Sequence, residues 1–298
     1  TDNDNDKSDS YPQRQPKIQR ILQETDSAKN NQRLLLCQLK LEQHCLMNKI
    51  AEVVNKLVAF APIYSRDLKI RESSYLYQRH TYFINYMNSI GVPVIVVEGI
   101  FEHLGQNFIK TKSNNEPWEY RVKLKHNFYY RENLVNVAAL KTIDLDIWEY
   151  IAWIDAHQYF LNPYWWEETI YKAEHFPVLM LFDTITYLEM DNNTEKFNTF
   201  STLYVNSKTR PSNNVPVTSG NAWAMRKEIY RKIGYILDEC VAGICDHALA
   251  TASLHAQGEW DGLGGGTNKY GENFRPWVQK YSQILGGGTY IRGKLLHF

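Results

Sequence analysis

The chain has 298 residues, with 33 basic residues balanced by 33 acidic ones, 44% hydrophobic residues and four cysteines. Length alone allows one large domain or two small ones, and the balanced charge supplies no overall field for a polyanion, so no nucleic-acid partner is expected. The cysteines lack C-x-x-C spacing, no apolar run reaches the roughly 18 residues of a membrane span, and residues 1–20 hold no signal-peptide core; the expectation is a cytoplasmic protein with reduced thiols, or a lumenal one if an anchor once preceded Thr1.

Residues 1–30 are Asp, Asn, Ser, Gln and Lys with two prolines, too poor in large apolar side chains to fold alone, and read as a disordered polar tail. From Asn31 the apolar residues Leu34, Leu35, Leu39, Leu46, Ile50 and Val53 recur near helical spacing. They predict a helical extension over 31–55 that packs on the following domain or on a second protomer, as a homodimer. Residues 56–298 form the third segment, read as a catalytic domain. It opens with a strand at Lys56–Pro62, a helix near 71–90 and a strand at Pro93–Glu98, a parallel unit with a right-handed crossover.

No G-x-G-x-x-G follows the first strand, and no P-loop exists anywhere. Gly262–Gly266 lacks the lysine and the strand of a phosphate loop and reads as a mobile loop. A helix is predicted at 131–141 and strands at 148–154, 177–183 and 199–205. Ser219–Glu228 reads as small residues opening onto a helix, and Gly243–Ala250 as another helix with Asp246 at its start. The fold class expected is α/β: a Rossmann-like, mostly parallel sheet flanked by helices.

The densest signal is Trp148-Glu149-Tyr150-Ile151-Ala152-Trp153-Ile154-Asp155-Ala156-His157. An almost wholly apolar strand ends in a charged residue, and ligands of open α/β sheets gather at the carboxyl ends of strands. Asp155 and His157 project to the same side by the period of two, and a carboxylate plus an imidazole suit Mn²⁺ or another borderline divalent metal better than Mg²⁺. Asp144-Leu145-Asp146 has a similar pattern but precedes the strand, and reads as a solvated turn.

Taken in order, Arg131–Leu140, Ala152–His157 with Asn162-Pro163-Tyr164-Trp165, Ser219–Arg226, Asp246-His247 and Tyr290–His297 resemble glycosyltransferases of the nucleotide-sugar-binding A fold, the family-2-like type of bacteria, phages and large viruses. The resemblance covers about residues 56–298. It implies a divalent cation, Mn²⁺ or Mg²⁺, bridging the diphosphate of a nucleotide-sugar donor. Asp155 and His157 correspond to its ligands, with His297 as the late histidine of the metal sphere. Asp246 corresponds to the base that takes the acceptor's proton in inverting members. Glu98, Pro62 and Tyr64 correspond to the nucleoside region and Arg131 to a phosphate contact. Trp223 and Trp165 are candidates for stacking on sugar rings, against the commoner use of a buried aromatic.

The activity implied is transfer of a sugar, from a UDP-sugar by preference, to a hydroxyl of a glycan, protein or small molecule. His157 replaces the usual second Asp, and since D-x-H also occurs in polypeptide N-acetylgalactosaminyltransferases, retention stays open beside inversion. Two other classes share the residues: a metal-dependent hydrolase of nucleotide sugars and a non-catalytic carbohydrate-binding relative.

Overall fold

The computed structural model describes residues 56–64, 75–108, 111, 118–125, 131–142, 147–189, 194–207, 216–238, 245–255 and 269–298, all within one compact unit, Glu52–Phe298. The tail, the helical extension, Asp144–Asp146 and Gly262–Gly266 lie outside the described residues.

In chain order the elements are β1 (Leu57–Ile63), α1 (Tyr75–Ser89), β2 (Val94–Ile100), β3 (Glu119–Lys123), α2 (Arg131–Thr142), β4 (Tyr150–Ile154) and β5 (Gln158–Phe160). Then come α3 (Trp165–Ala173), β6 (Val178–Met180), β7 (Thr184–Leu188), β8 (Glu195–Ser201), α4 (Thr202–Ser207), β9 (Val217–Thr218) and β10 (Ala222–Arg226). The last are α5 (Lys227–Ile233), α6 (Cys245–His255), α7 (Lys269–Leu285), β11 (Thr289–Tyr290) and β12 (Lys294–His297).

A central sheet of order β11-β6-β10-β4-β1-β2-β3 is flanked by helices, the α/β architecture expected. Strands β4, β1, β2 and β3 run parallel, and every residue of β1 and β4 is buried, as parallel strands covered on both faces require. The register stacks Phe60, Trp153 and Trp223 in one row across three strands. The next residues along the pleat stack Ala59, Ala152 and Ala224 in a row on the other face. One row therefore carries bulk, and the row behind it is small enough for a covering element to approach closely at that level.

Two sequence expectations are corrected here. Ala222–Arg226 is a strand, antiparallel to both β4 and β6, and the helix begins only at Lys227. The segment is short and apolar, so periodicity cannot separate strand from helix, and pairing with β4 decides. The strand expected at 199–205 ends at Ser201, because the Ser201 Oγ accepts the Tyr204 backbone N–H at 3.1 Å and caps α4.

A second sheet, β5-β12-β7-β8-β9, stands at the carboxyl end of β4. In it β12 pairs antiparallel with β5 and parallel with β7, which sets His297 opposite Gln158 and Tyr187. The turn that delivers β12 depends on Gly293, at φ 135°, where a Cβ would lie 2.8 Å from the Asn162 Cβ. Among the described residues no helix is long and apolar enough to cross a membrane.

Candidate active site

Asp155 leaves the end of β4 with its backbone N–H donated to the Asn221 carbonyl at 3.1 Å. Two residues on, His157 meets His297: the two Nε2 atoms are 2.8 Å apart and the rings stand edge to face, 89° between planes. One carboxylate oxygen of Asp155 and one ring nitrogen of each histidine all lie within 4.8 Å of one another. The Phe298 N–H donates to the His157 carbonyl at 3.2 Å, and the Tyr187 ring lies 4.6 Å from that of His297, so the pairing of β12 fixes both imidazoles.

Both imidazoles are held neutral. Burial pushes His157 down from 6.5 to about 4, and burial together with the neighbouring His157 pushes His297 down to about 3. Neutral imidazole is the ligating form. Two nitrogens each about 2.1 Å from one ion at right angles lie about 3 Å apart, close to the spacing found. The residues thus fit a divalent cation, and two imidazoles with one carboxylate favour Mn²⁺ and other borderline metals over Mg²⁺.

Arg131, at the first position of α2 and 3% exposed, ties this trio to the rest of the site. Its Nε pairs with Asp155 Oδ1, its Nη1 with Asp246 Oδ2 at 2.6 Å and Glu132 Oε1 at 3.1 Å, and its Nη2 donates to the Asn221 carbonyl at 2.7 Å. Arg131 therefore organises three carboxylates and also lines the cavity at the end of β1, where the sequence pointed to a phosphate contact. One guanidinium faces three carboxylates, and a bound divalent cation would offset the excess negative charge.

Asp246 lies in the first turn of α6, 7% exposed, where the helix dipole favours a carboxylate. Burial raises its proton affinity and Arg131 opposes the rise; Asp155 adds to it. Its Oδ1 is buried and accepts no hydrogen bond among the described residues, leaving a spare acceptor.

Pro62, Ile63 and Tyr64 at the end of β1 join Arg131, Asp155, Ala156 and His157 around a cavity of about 180 Å³. Glu98 is fully buried, and its Oε2 accepts from the Thr111 N–H at 2.8 Å and the Thr111 hydroxyl at 2.9 Å. Trp223 corrects the stacking expectation: it is 0% exposed, with its indole N–H donated to the Ser219 carbonyl at 2.8 Å. Trp165 is likewise buried, stacked on Phe160 with centroids 4.4 Å apart. Neither ring can meet a sugar.

Sequence reasoning missed Glu132, Asn221 and Gln158. Gln158 Nε2 donates to the Asn221 side-chain oxygen at 2.9 Å, with Asp155 Oδ2 at 3.5 Å. Asn221 adopts φ 90°, the sole non-glycine with positive φ among the described residues, and so turns its carbonyl to both the Asp155 N–H and Arg131. Ser219-Gly220-Asn221 carried a signal, since Asn tolerates this region better than other non-glycine residues.

No protein-family profile matches the chain, and no curated protein resembles its sequence. Solved structures that it resembles include the catalytic domain of Drosophila β1,4-galactosyltransferase 7 in complex with xylobiose, at 15% identity and TM-score 0.36, covering 68% of this chain and 62% of that one. S. aureus TarS residues 1–349 matches at 14% and TM-score 0.36, covering 66% and 54%. A glycosyltransferase involved in glycosylation of the major capsid of PBCV-1 matches at 12% and TM-score 0.33, covering 81% and 92%. The chain thus spans less than two thirds of the first two.

Glu132 supplies a test of the cluster's electrostatics. Burial first, then the neighbouring Asp246, push its carboxyl from 4.5 up to about 8, against the pull of Arg131. A carboxyl whose pKa is raised on folding favours the folded state below its unfolded pKa and loses that contribution as pH rises to the folded value. Glu132→Gln should therefore gain thermal stability over the parent progressively between pH 5 and 8, with little difference at pH 5. Melting curves across that range check it, and a pH-independent difference would count against the raised carboxyl.

Proposed function

We propose that the protein is a metal-dependent glycosyltransferase that moves a sugar from a nucleotide diphosphate donor, UDP-sugars being favoured, to a hydroxyl acceptor with inversion. One observation carries the reading: a metal-competent trio, Asp155, His157 and His297, joined through a single buried arginine to a carboxylate with a spare oxygen, Asp246. A cation held by the trio would supply Lewis-acid stabilisation of the charge that develops on the departing diphosphate.

The protein's own groups do the rest. Arg131 sets the spacing between the diphosphate end of the site and the carboxylate, so the donor is held between them. Asp246 accepts the proton of the acceptor hydroxyl as that oxygen bonds to the anomeric carbon, while the bond to the diphosphate oxygen breaks on the opposite side. Its buried setting raises its basicity, and Arg131 opposes that rise.

Asp246→Asn removes the acceptor of that proton but keeps the shape of the side chain. Donor affinity should stay within a factor of about three, while transfer falls about 10²- to 10⁴-fold, the usual contribution of a positioned base. Donor titration alongside a product assay reads both, and undiminished transfer would place the base elsewhere. The overall reading is tested by thermal shift with UDP-, GDP-, ADP- and CDP-sugars, each with Mn²⁺ and with Mg²⁺. Stabilisation by one donor class that requires the metal is expected. No response to any pair refutes the reading, and release of free sugar without an acceptor favours hydrolysis.

A further inference from the structure

The three metal-competent side chains come from two sheets. Asp155 ends β4 of the central sheet, His297 lies on β12 of the second sheet, and His157 sits in the link between β4 and β5. Their mutual spacing therefore depends on what holds the second sheet to the end of the first. Asn221, 6% exposed at the entry to β10, stands at that junction.

Its backbone serves the central sheet. The carbonyl accepts from the Asp155 N–H at 3.1 Å and from Arg131 Nη2 at 2.7 Å, and Arg131 in turn pairs with Asp155 and Asp246. Its side chain serves the second sheet. Oδ1 accepts from Gln158 Nε2 at 2.9 Å, while Nδ2 points to the Tyr187 hydroxyl at 3.4 Å and to Thr218 Oγ1 at 3.5 Å. Gln158 of β5 and Tyr187 of β7 are the residues that the strand register sets on either side of His297. One amide therefore clips together the two strands between which His297 is inserted.

Glycine would take φ 90° without strain, whereas an asparagine there meets a backbone cost that persists only where the surroundings over-determine it. What asparagine adds over glycine is the amide. Resting on the metal site of the proposed transferase, we infer that Asn221 is a positioning residue. Its amide holds His297 beside His157 and Asp155, and its carbonyl holds Arg131, and through it Asp246, against the same centre. It acts as an outer partner that orients metal ligands and touches no substrate.

Asn221→Gly separates the two parts, since glycine keeps the backbone turn and the carbonyl and removes only the amide. Mn²⁺ binding to the whole chain, followed by electron paramagnetic resonance, should weaken about 10- to 100-fold, while a melting curve shows the variant folded. A merely structural asparagine would shift the melting curve and leave Mn²⁺ affinity unchanged, and that result overturns the assignment. Tyr187→Phe removes the hydroxyl but keeps the ring beside His297, and should weaken Mn²⁺ about two- to fivefold, the range for one modest hydrogen bond. Added to Asn221→Gly it should cost nothing further, as expected of two groups in one network; an equal loss in both backgrounds overturns the assignment. If Asn221→Gly does not fold, Tyr187→Phe decides alone, and unchanged Mn²⁺ affinity in it has the same force. Failure of the parent to bind Mn²⁺ removes the metal site and this role with it. A parent that binds Mn²⁺ but transfers no sugar refutes the transferase reading, and weakened Mn²⁺ binding in Asn221→Gly would still support the positioning role.

Discussion

Asp155→Ala is expected to cut metal-dependent transfer by about 10³-fold or more, since it removes the anionic member of the trio and with it much of the stabilisation of the leaving diphosphate. The fold should survive. The Asp155 side chain is 18% exposed at a strand end, and the backbone bond to the Asn221 carbonyl does not depend on it. Arg131 keeps Asp246 and Glu132 as partners, so no buried guanidinium is stranded. Mn²⁺ binding followed by electron paramagnetic resonance should weaken in parallel, while the melting temperature moves little. Full activity with unaltered metal dependence in Asp155→Ala would remove the metal from the mechanism.

Arg131→Met should be the most destabilising single change at the site. Removing one partner of a buried ion pair costs about 3–5 kcal/mol because the remaining charge is left uncompensated. For a unit of this size that corresponds to a melting point lower by about 10 °C. The stranded groups are Asp155, Asp246 and Glu132, whose side chains are 18%, 9% and 2% exposed. Without the guanidinium, the buried Glu132 carboxyl moves still further above its unfolded pKa. Its contribution is then intact at low pH and lost as pH rises, so the deficit against the parent should be larger at pH 8 than at pH 5. Adding Glu132→Gln should recover part of the loss, a non-additivity expected of groups in one network. A deficit equal at pH 5 and pH 8, with no recovery in the double variant, would show that lost packing of the arginine stem is the cause.

These two changes separate roles that the sequence could not distinguish. As a sequence, Arg131 and Glu132 open a helix with a weak amphipathic pattern, and only the resemblance singles out Arg131, as a phosphate contact. In the folded chain the first pairs with both Asp155 and Asp246, and the second is buried against it.

The sequence by itself determined the central strands, because Leu57–Ile63 and Tyr150–Ile154 are apolar on both pleat faces and only a covered parallel sheet accommodates that. It also placed Asp155 and His157 where the chain leaves the core, since a charged residue ending such a strand must emerge at its carboxyl end. Asp155 and His157 were legible on those local grounds, and Asp246 only through the resemblance. Tertiary structure decided what local pattern leaves undetermined. Two-residue periodicity says which face a side chain takes but not which strand will lie beside it, and register is set by pairing between distant segments. That pairing made Ala222–Arg226 a strand and buried Trp223 against Trp153. It carried His297 across 140 residues to His157, through β12 inserted between β5 and β7. It also turned the Asn221 carbonyl toward Arg131, through a backbone conformation that the sequence permits but does not impose.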